Sequence, residues 1–205
     1  MGSHPQPGAK SVASGSVRLF RSILVALFFA ASVYGLVTSV VLWTLALFQV
    51  TPSPATQSIR QLALLPTLPV AMAAILFSTI VGIAKHGWWW GRFSVFEDLA
   101  ALKKRTFTVL VAAPCLLGSA SWIFAMAVIM VYSGGPELSG ARYVTTNRDG
   151  VVLQEVPQWI GVSFRWISLA AGAALASFAC TIGLGSAARL ERDTGATDVS
   201  GGARK

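Results

Sequence analysis

The sequence has few charged side chains and almost no histidine or cysteine. Charged residues make up 12% of the 205 residues and hydrophobic residues 54%, so the charged share is about half that of a typical soluble domain. A water-soluble domain of this length needs more polar surface to cover itself. The composition therefore predicts an integral membrane protein with one domain. It argues against a disordered chain, a disulfide-stabilised scaffold and a nucleic-acid-binding protein.

Asp, Glu, Lys, Arg and His are absent from four long stretches of the chain. These stretches cover about residues 22–48, 62–84, 107–132 and 166–188, and each exceeds the roughly 20 residues that a helix needs to cross a bilayer. The first is too long for the apolar region of a signal peptide. We therefore expect an all-α membrane protein with a four-transmembrane-helix bundle at residues 18–190. Disordered cytoplasmic tails are expected at 1–17 and 191–205, which cannot bury enough apolar surface to order themselves.

Basic residues are distributed unevenly between the two sides of this predicted bundle. If the N-terminus is cytoplasmic, twelve of the 16 Lys and Arg residues lie in cytoplasmic segments and four lie outside. Cytoplasmic loops of membrane proteins carry such an excess, and it attracts anionic lipid headgroups. We therefore expect both termini to be cytoplasmic, in a plasma membrane. The excess of Arg over Lys, eleven to five, suggests a bacterial source.

The segment between the second and third stretches combines tryptophans with basic residues. Tryptophan and basic side chains are typical of the headgroup level of a bilayer. The spacing of Ser94 and Glu97 is that of a capping box, which predicts a short interfacial helix at about 94–105, with Glu97 and Asp98 acting in its first turn. The segment is either a lipid-headgroup or partner site or a simple anchor. The residues assigned to it are Lys85, Trp88, Trp89, Trp90, Arg92, Lys103, Lys104 and Arg105.

The segment between the third and fourth stretches has the pattern of a β-hairpin. Two runs rich in β-branched residues flank Asp149-Gly150, a dipeptide that favours tight turns, so a hairpin is predicted at about 142–157 outside the membrane. An isolated two-stranded ribbon is only marginally stable in water. It must therefore pack against either the ends of its own helices or a partner protein. The candidate docking residues here are Tyr143, Val144, Val151 and Leu153.

Small residues recur at four-residue intervals in the first and fourth stretches. The spacing includes Gly35 in the first, and Gly172 and Ala176 in the fourth. Small residues allow helices in a membrane to approach closely. These faces could serve packing within the bundle or docking of another subunit, and the sequence leaves both open.

Candidate chemistry is sparse in this chain. His4 and His86 are the only histidines, and no cluster of residues has the spacing of a metal site. We expect no cofactor and no enzymatic activity. The sequence instead indicates a non-catalytic accessory or assembly subunit of a larger integral membrane complex, for example a lipid-importing ABC transporter or a respiratory assembly. The alternatives are a small homo-oligomeric channel or permease, and a lipid-binding membrane protein.

Overall fold

The computed structural model describes residues 8–51, 66–90, 94–100, 102, 104–147 and 149–202. Helix α1 covers Gly8–Leu47, α2 covers Thr67–Trp90, and the short helices α3 and α4 cover Ser94–Ala100 and Lys104–Phe107. Helix α4 continues through a π-helical turn, Thr108–Ala112, into α5, Ala113–Tyr132. The strands β1, Glu137–Ser139, β2, Arg142–Thr146, and β3, Val152–Val156, follow, and α6 covers Gln158–Gly202.

Four of these helical segments are long and apolar enough to cross a membrane. They are Leu19–Leu47, Thr67–Lys85, Thr108–Tyr132 and Gln158–Leu190. Each overlaps one of the four uncharged stretches of the sequence. The structure therefore supports the predicted multi-pass membrane protein.

Prolines and one left-handed residue explain where the helices begin and end. Pro66 precedes α2, and Pro157 precedes α6, where its carbonyl accepts hydrogen bonds from the amides of Ile160 and Gly161. A proline at a helix start loses nothing, because the first amides have no partner within the helix. Helix α5 ends at Ser133, which has φ 56° and donates its amide to the carbonyl of Ile129.

Helix α6 lies at the centre of the bundle. It packs against α1, α2 and α5. In its most apolar stretch of 18 residues 61% is buried, against 11–28% in the corresponding stretches of the other three long apolar segments. Among the described residues, α2 and α5 have at most marginal contact with each other. One face of α6, around Leu175, is therefore left uncovered by the described residues between α2 and α5, and Leu175 is 70% exposed.

The π-helical turn before α5 follows from Pro114. This proline has no amide hydrogen to donate to the carbonyl of Leu110, four residues earlier, so a regular α-helix would leave that carbonyl without its usual donor. The hydroxyl of Thr181 in α6 lies 3.0 Å from the Leu110 carbonyl oxygen. Pro114 thus lies inside a continuous helical segment that begins at Lys104.

The predicted hairpin is present, with one strand more than expected. Strands β2 and β3 are antiparallel and pair Val144 with Glu155. Strand β1 adds to the other edge of β2, pairing Leu138 with Tyr143, so the sheet order is β1-β2-β3. The third strand was missed because Glu137–Ser139 is short and follows a Gly-Gly-Pro sequence that is typical of a loop.

The sheet lies at one end of the bundle, which we call the sheet end, and α3 lies at the other, the α3 end. The turn after α1 is fastened to α6 at the sheet end. Gln49 donates to the Ser163 hydroxyl at 2.8 Å, and the indole of Trp166 donates to the Val50 carbonyl at 2.7 Å. These bonds fix the end of α1 against the first turns of α6.

Part of each segment expected as a disordered tail is helical. Helix α1 begins at Gly8, within the segment 1–17 expected to be disordered, and α6 continues to Gly202, within 191–205. No proline follows Pro7 until after α1 ends, and none follows Pro157, so each helix can continue without losing a backbone donor. The short helix expected at 94–105 is observed as α3, Ser94–Ala100.

Candidate functional site

Helices α1 and α6 meet along a face of small and hydroxyl-bearing residues. A Cβ at Gly35 would lie only 3.0 Å from the Ala173 carbonyl oxygen, so the two backbones are close. Ser177 donates to the Ser32 carbonyl at 2.7 Å, and Ser39 donates to the Ala170 carbonyl at 3.0 Å. This contact places Gly35, one of the predicted docking residues, inside the bundle.

A second small-residue contact joins α2 to α6. Ala176, another predicted docking residue, is buried in a cluster with Ala71, Ala179 and Cys180. A Cβ at Gly183 would lie 2.7 Å from the Cβ of Ala74. Most small residues of α6 are therefore already used to bring its own neighbours close.

The exception is an apolar groove between α5 and α6, on the uncovered face of α6. We call it the α5–α6 groove, and its volume is about 680 Å³. Gly172, the third predicted docking residue on the helices, lies here and is only partly buried. Cys115 of α5 is exposed in the same groove. The residues that line it are Pro114, Cys115, Gly118, Ser119, Trp122, Ile123, Ala171, Gly172, Ala174, Leu175 and Phe178.

The sheet divides its predicted docking residues into two groups. Tyr143 and Val144 are 5% and 6% exposed, and the ring of Tyr143 lies directly over Gly161 at the start of α6. Val151 and Leu153 are more than half exposed. The sheet thus packs on its own bundle through β2, while β3 forms an edge that no other described strand covers.

One exposed ion pair crosses the sheet surface. Arg142 donates to Glu155 at 2.6 Å, and this carboxylate raises the pKa of the Arg142 guanidinium. Both side chains are largely exposed. An ion pair in water contributes little to stability, so the apolar contacts of β2 hold the sheet in place.

A buried acidic residue at the α3 end was not anticipated as a tertiary contact. Asp98 is 1% exposed and accepts hydrogen bonds from Ser78 of α2 and from Ser186 and Arg189 of α6. The sequence interpretation gave Asp98 a local role in the first turn of its helix. The sequence does place Ser78 and Ser186 near the ends of two uncharged stretches. Their contact with Asp98 depends on the fold, so the sequence alone could not connect these residues.

The predicted headgroup segment is described only in part. Lys85 is exposed in α2. Arg92 and Lys103 lie outside the described residues, as do the side chains of Trp88, Trp89, Trp90, Lys104 and Arg105. Within the described part of the chain, His, Cys, Asp and Glu form no group of three or more that could hold a metal ion.

Comparison with known proteins adds no relative. No family model, no curated protein and no solved structure matches the chain. The fold has four helices long and apolar enough to span a membrane, which supports a multi-pass membrane protein, with one helix at the centre and a small sheet at one end.

Proposed function

We propose that the protein is a non-catalytic accessory or assembly subunit of a larger membrane complex. The observation that carries this proposal is the uncovered face of α6. A central helix with neighbours on three sides and an apolar groove on the fourth, lined in part by small residues, has a place for one more helix. In a membrane, helices associate mainly through close packing of small residues, so a transmembrane helix of a partner fits this place.

Residues from both walls of the groove support a helix as its occupant. At Gly118 there is room for a side chain, because a Cβ there would lie at an ordinary contact distance, 3.6 Å from the Ala174 Cβ. Gly172 and Ala171 form the opposing wall. The proposed membrane is the bacterial plasma membrane, with both termini cytoplasmic and the sheet outside, as the distribution of basic residues indicates. Candidate hosts are a lipid-importing ABC transporter or a respiratory assembly.

Filling the groove should separate the protein from its partner. Gly118→Leu is expected to reduce the amount of partner that co-purifies from native membranes about tenfold, because the leucine side chain occupies the space for the incoming helix. The matched control is Ala30→Leu, since Ala30 is exposed on α1, away from the groove. Quantitative mass spectrometry of native pull-downs measures the effect. Equal partner recovery from both variants, or a parent protein that purifies alone, would contradict the proposal.

The exposed edge of the sheet is the proposed second contact with the partner. Val151→Lys and Leu153→Lys together should weaken the complex about tenfold while leaving membrane insertion intact, because both side chains are exposed and a charge there opposes apolar docking. Leu138→Lys is the control, since Leu138 is similarly exposed on β1, the opposite edge. Co-purification from native membranes gives the result. No loss of partner with the variant that carries both Val151→Lys and Leu153→Lys would limit the sheet to a structural role.

A lipid-binding protein is the second candidate, because the same groove is apolar and could accept an acyl chain. The purified protein would then retain lipid in native mass spectrometry, and Gly118→Leu would release it without affecting any partner protein. A homo-oligomeric channel has less support. The side chains of α6 occupy the centre of the bundle, so a pore would have to form between copies.

A further inference from the structure

The carboxylate of Asp98 connects three helices at the α3 end. The hydroxyl of Ser186 in α6 donates to its Oδ2 atom at 2.6 Å, and the hydroxyl of Ser78 in α2 donates to the same atom at 3.0 Å. Arg189 of α6 donates to its Oδ1 atom at 3.2 Å. A helix of seven residues is thereby bound to two of the spanning helices through a single side chain.

The backbone of α3 lies directly on α6 at this place. A Cβ at Gly185 would overlap the backbone carbonyl group of Asp98, so only glycine lets α3 come this close. Leu99 is buried. Leu102 packs on an apolar cluster that includes Leu184 of α6. Polar and apolar contacts thus act on the same short segment.

The charges of this contact are unequally exposed. The Arg189 guanidinium pairs with both Asp98 and Glu97, and the Glu97 side chain is 59% exposed, against 1% for Asp98. An exposed ion pair contributes little. Asp98 is also the buried acceptor of the hydrogen bonds from Ser78 and Ser186, and removing a buried acceptor leaves its donors without that partner, which is unfavourable. Asp98, rather than Glu97, should therefore hold α3 in place.

Helix α2 contains a break one turn before its end. Gly87 has φ 77° and ψ 171°, a backbone conformation that glycine adopts without a steric penalty. The direction of the chain changes at this residue, so α3 is not a rigid extension of α2. Its position depends on its own contacts with α2 and α6.

We infer that α3 is a latch, meaning a short segment that joins the end of α2 to α6 and can detach from both. The Asp98 carboxylate is the group that keeps it bound. The latch opens as a local unit, while α1, α2, α5 and α6 stay packed through their own small-residue contacts. Any movement of α2 relative to α6 at the α3 end requires this latch to open. Segments with their own few contacts commonly open independently of the rest of a protein.

Amide hydrogen exchange of the full-length protein in detergent tests this inference. In Asp98→Asn, the amides of residues 98–100 should exchange at least about tenfold faster than in the parent, because the buried carboxylate that accepts hydrogen bonds from Ser78, Ser186 and Arg189 is lost. The amides of residues 170–180 in α6 should be unchanged. In the control Glu97→Gln, which removes the exposed partner of the same arginine, exchange in α3 should change less than about twofold.

Two results would overturn the inference. The first is unchanged exchange of residues 98–100 in Asp98→Asn, which would mean that apolar packing alone holds α3. The second is parallel acceleration in α3 and in residues 170–180, which would mean that the bundle and α3 open together. If Asp98→Asn does not fold, Ser186→Ala removes one hydrogen bond to the same carboxylate and decides the matter. Exchange in α3 no faster than in Glu97→Gln would then reject the latch.

Discussion

Gly161→Ala should displace the sheet from the start of α6 and lower the free energy of unfolding by about 3 kcal/mol. A Cβ at this position would overlap the ring of Tyr143. The ring cannot move away easily, because Tyr143 is buried in a cluster with Val156 and Val162. Thermal unfolding of the detergent-purified protein measures the loss.

Gly134→Ala is the matched control for this prediction, because its Cβ would lie at an ordinary 3.8 Å from the Thr145 Cβ. It should cost less than about 0.5 kcal/mol. Adding Tyr143→Ala to Gly161→Ala should recover part of the loss relative to the sum of the two single variants, because the clash is then removed. Equal stability of Gly161→Ala and Gly134→Ala would show that the sheet is not held by this contact.

The contact between Tyr143 and Gly161 changes the interpretation of the predicted docking residues in β2. Charged residues at Tyr143 and Val144 would disturb the sheet itself, because both side chains are buried, so such variants cannot isolate partner binding. Alternation along a strand predicts two faces but not which of them is covered. That choice depends on the end of α6, which the hairpin sequence does not contain.

The helices were predictable because their signal is local. Length and the absence of charge located all four spanning segments, and the structure has a helix at each of them. Among these apolar segments the predicted start of the fourth differs most, since the prediction began at 166 and the segment begins at Gln158. Arg165 interrupted the uncharged stretch, but a helix can extend past the hydrocarbon and carry a charge at its end.

The role of Asp98 was not predictable because its partners are distant in the sequence. Ser186 and Arg189 are 88 and 91 residues away. In the sequence, adjacent acidic residues after a capping serine favour an interaction with the helix dipole. The burial of Asp98 depends on the fold, because it requires the close contact of α3 with α6 at Gly185.

Small-residue spacing predicted close helix contacts but not the surfaces that use them. Gly35 and Ala176 pack inside the protein, whereas Gly172 lies in the α5–α6 groove. The spacing rule of glycine and alanine is the same for both uses. Only the arrangement of α1, α2 and α5 around α6 shows which face remains uncovered.

Gly35→Val should separate α1 from α6 and destabilise the isolated protein by about 3 kcal/mol. Its Cβ would lie 3.0 Å from both the Ala173 carbonyl oxygen and the Ser177 Cβ, and a branched side chain needs more room than that. The displacement also lengthens the hydrogen bond from Ser177 to the Ser32 carbonyl. Titration with a denaturing detergent, followed by circular dichroism, measures the shift in the unfolding midpoint.

Gly118→Val is the control, because Gly118 lines the groove and a Cβ there would make an ordinary contact, 3.6 Å from the Ala174 Cβ. It should leave the stability of the isolated protein within about 1 kcal/mol of the parent. The two variants thus separate the two uses of small residues, since Gly35→Val acts on packing within the protein and Gly118→Val on the proposed partner contact. A different result would be that Gly35→Val unfolds at the same detergent fraction as Gly118→Val but no longer co-purifies with the partner. The face of α1 at Gly35 would then belong to the complex, and contact with α6 would not be the main use of that face.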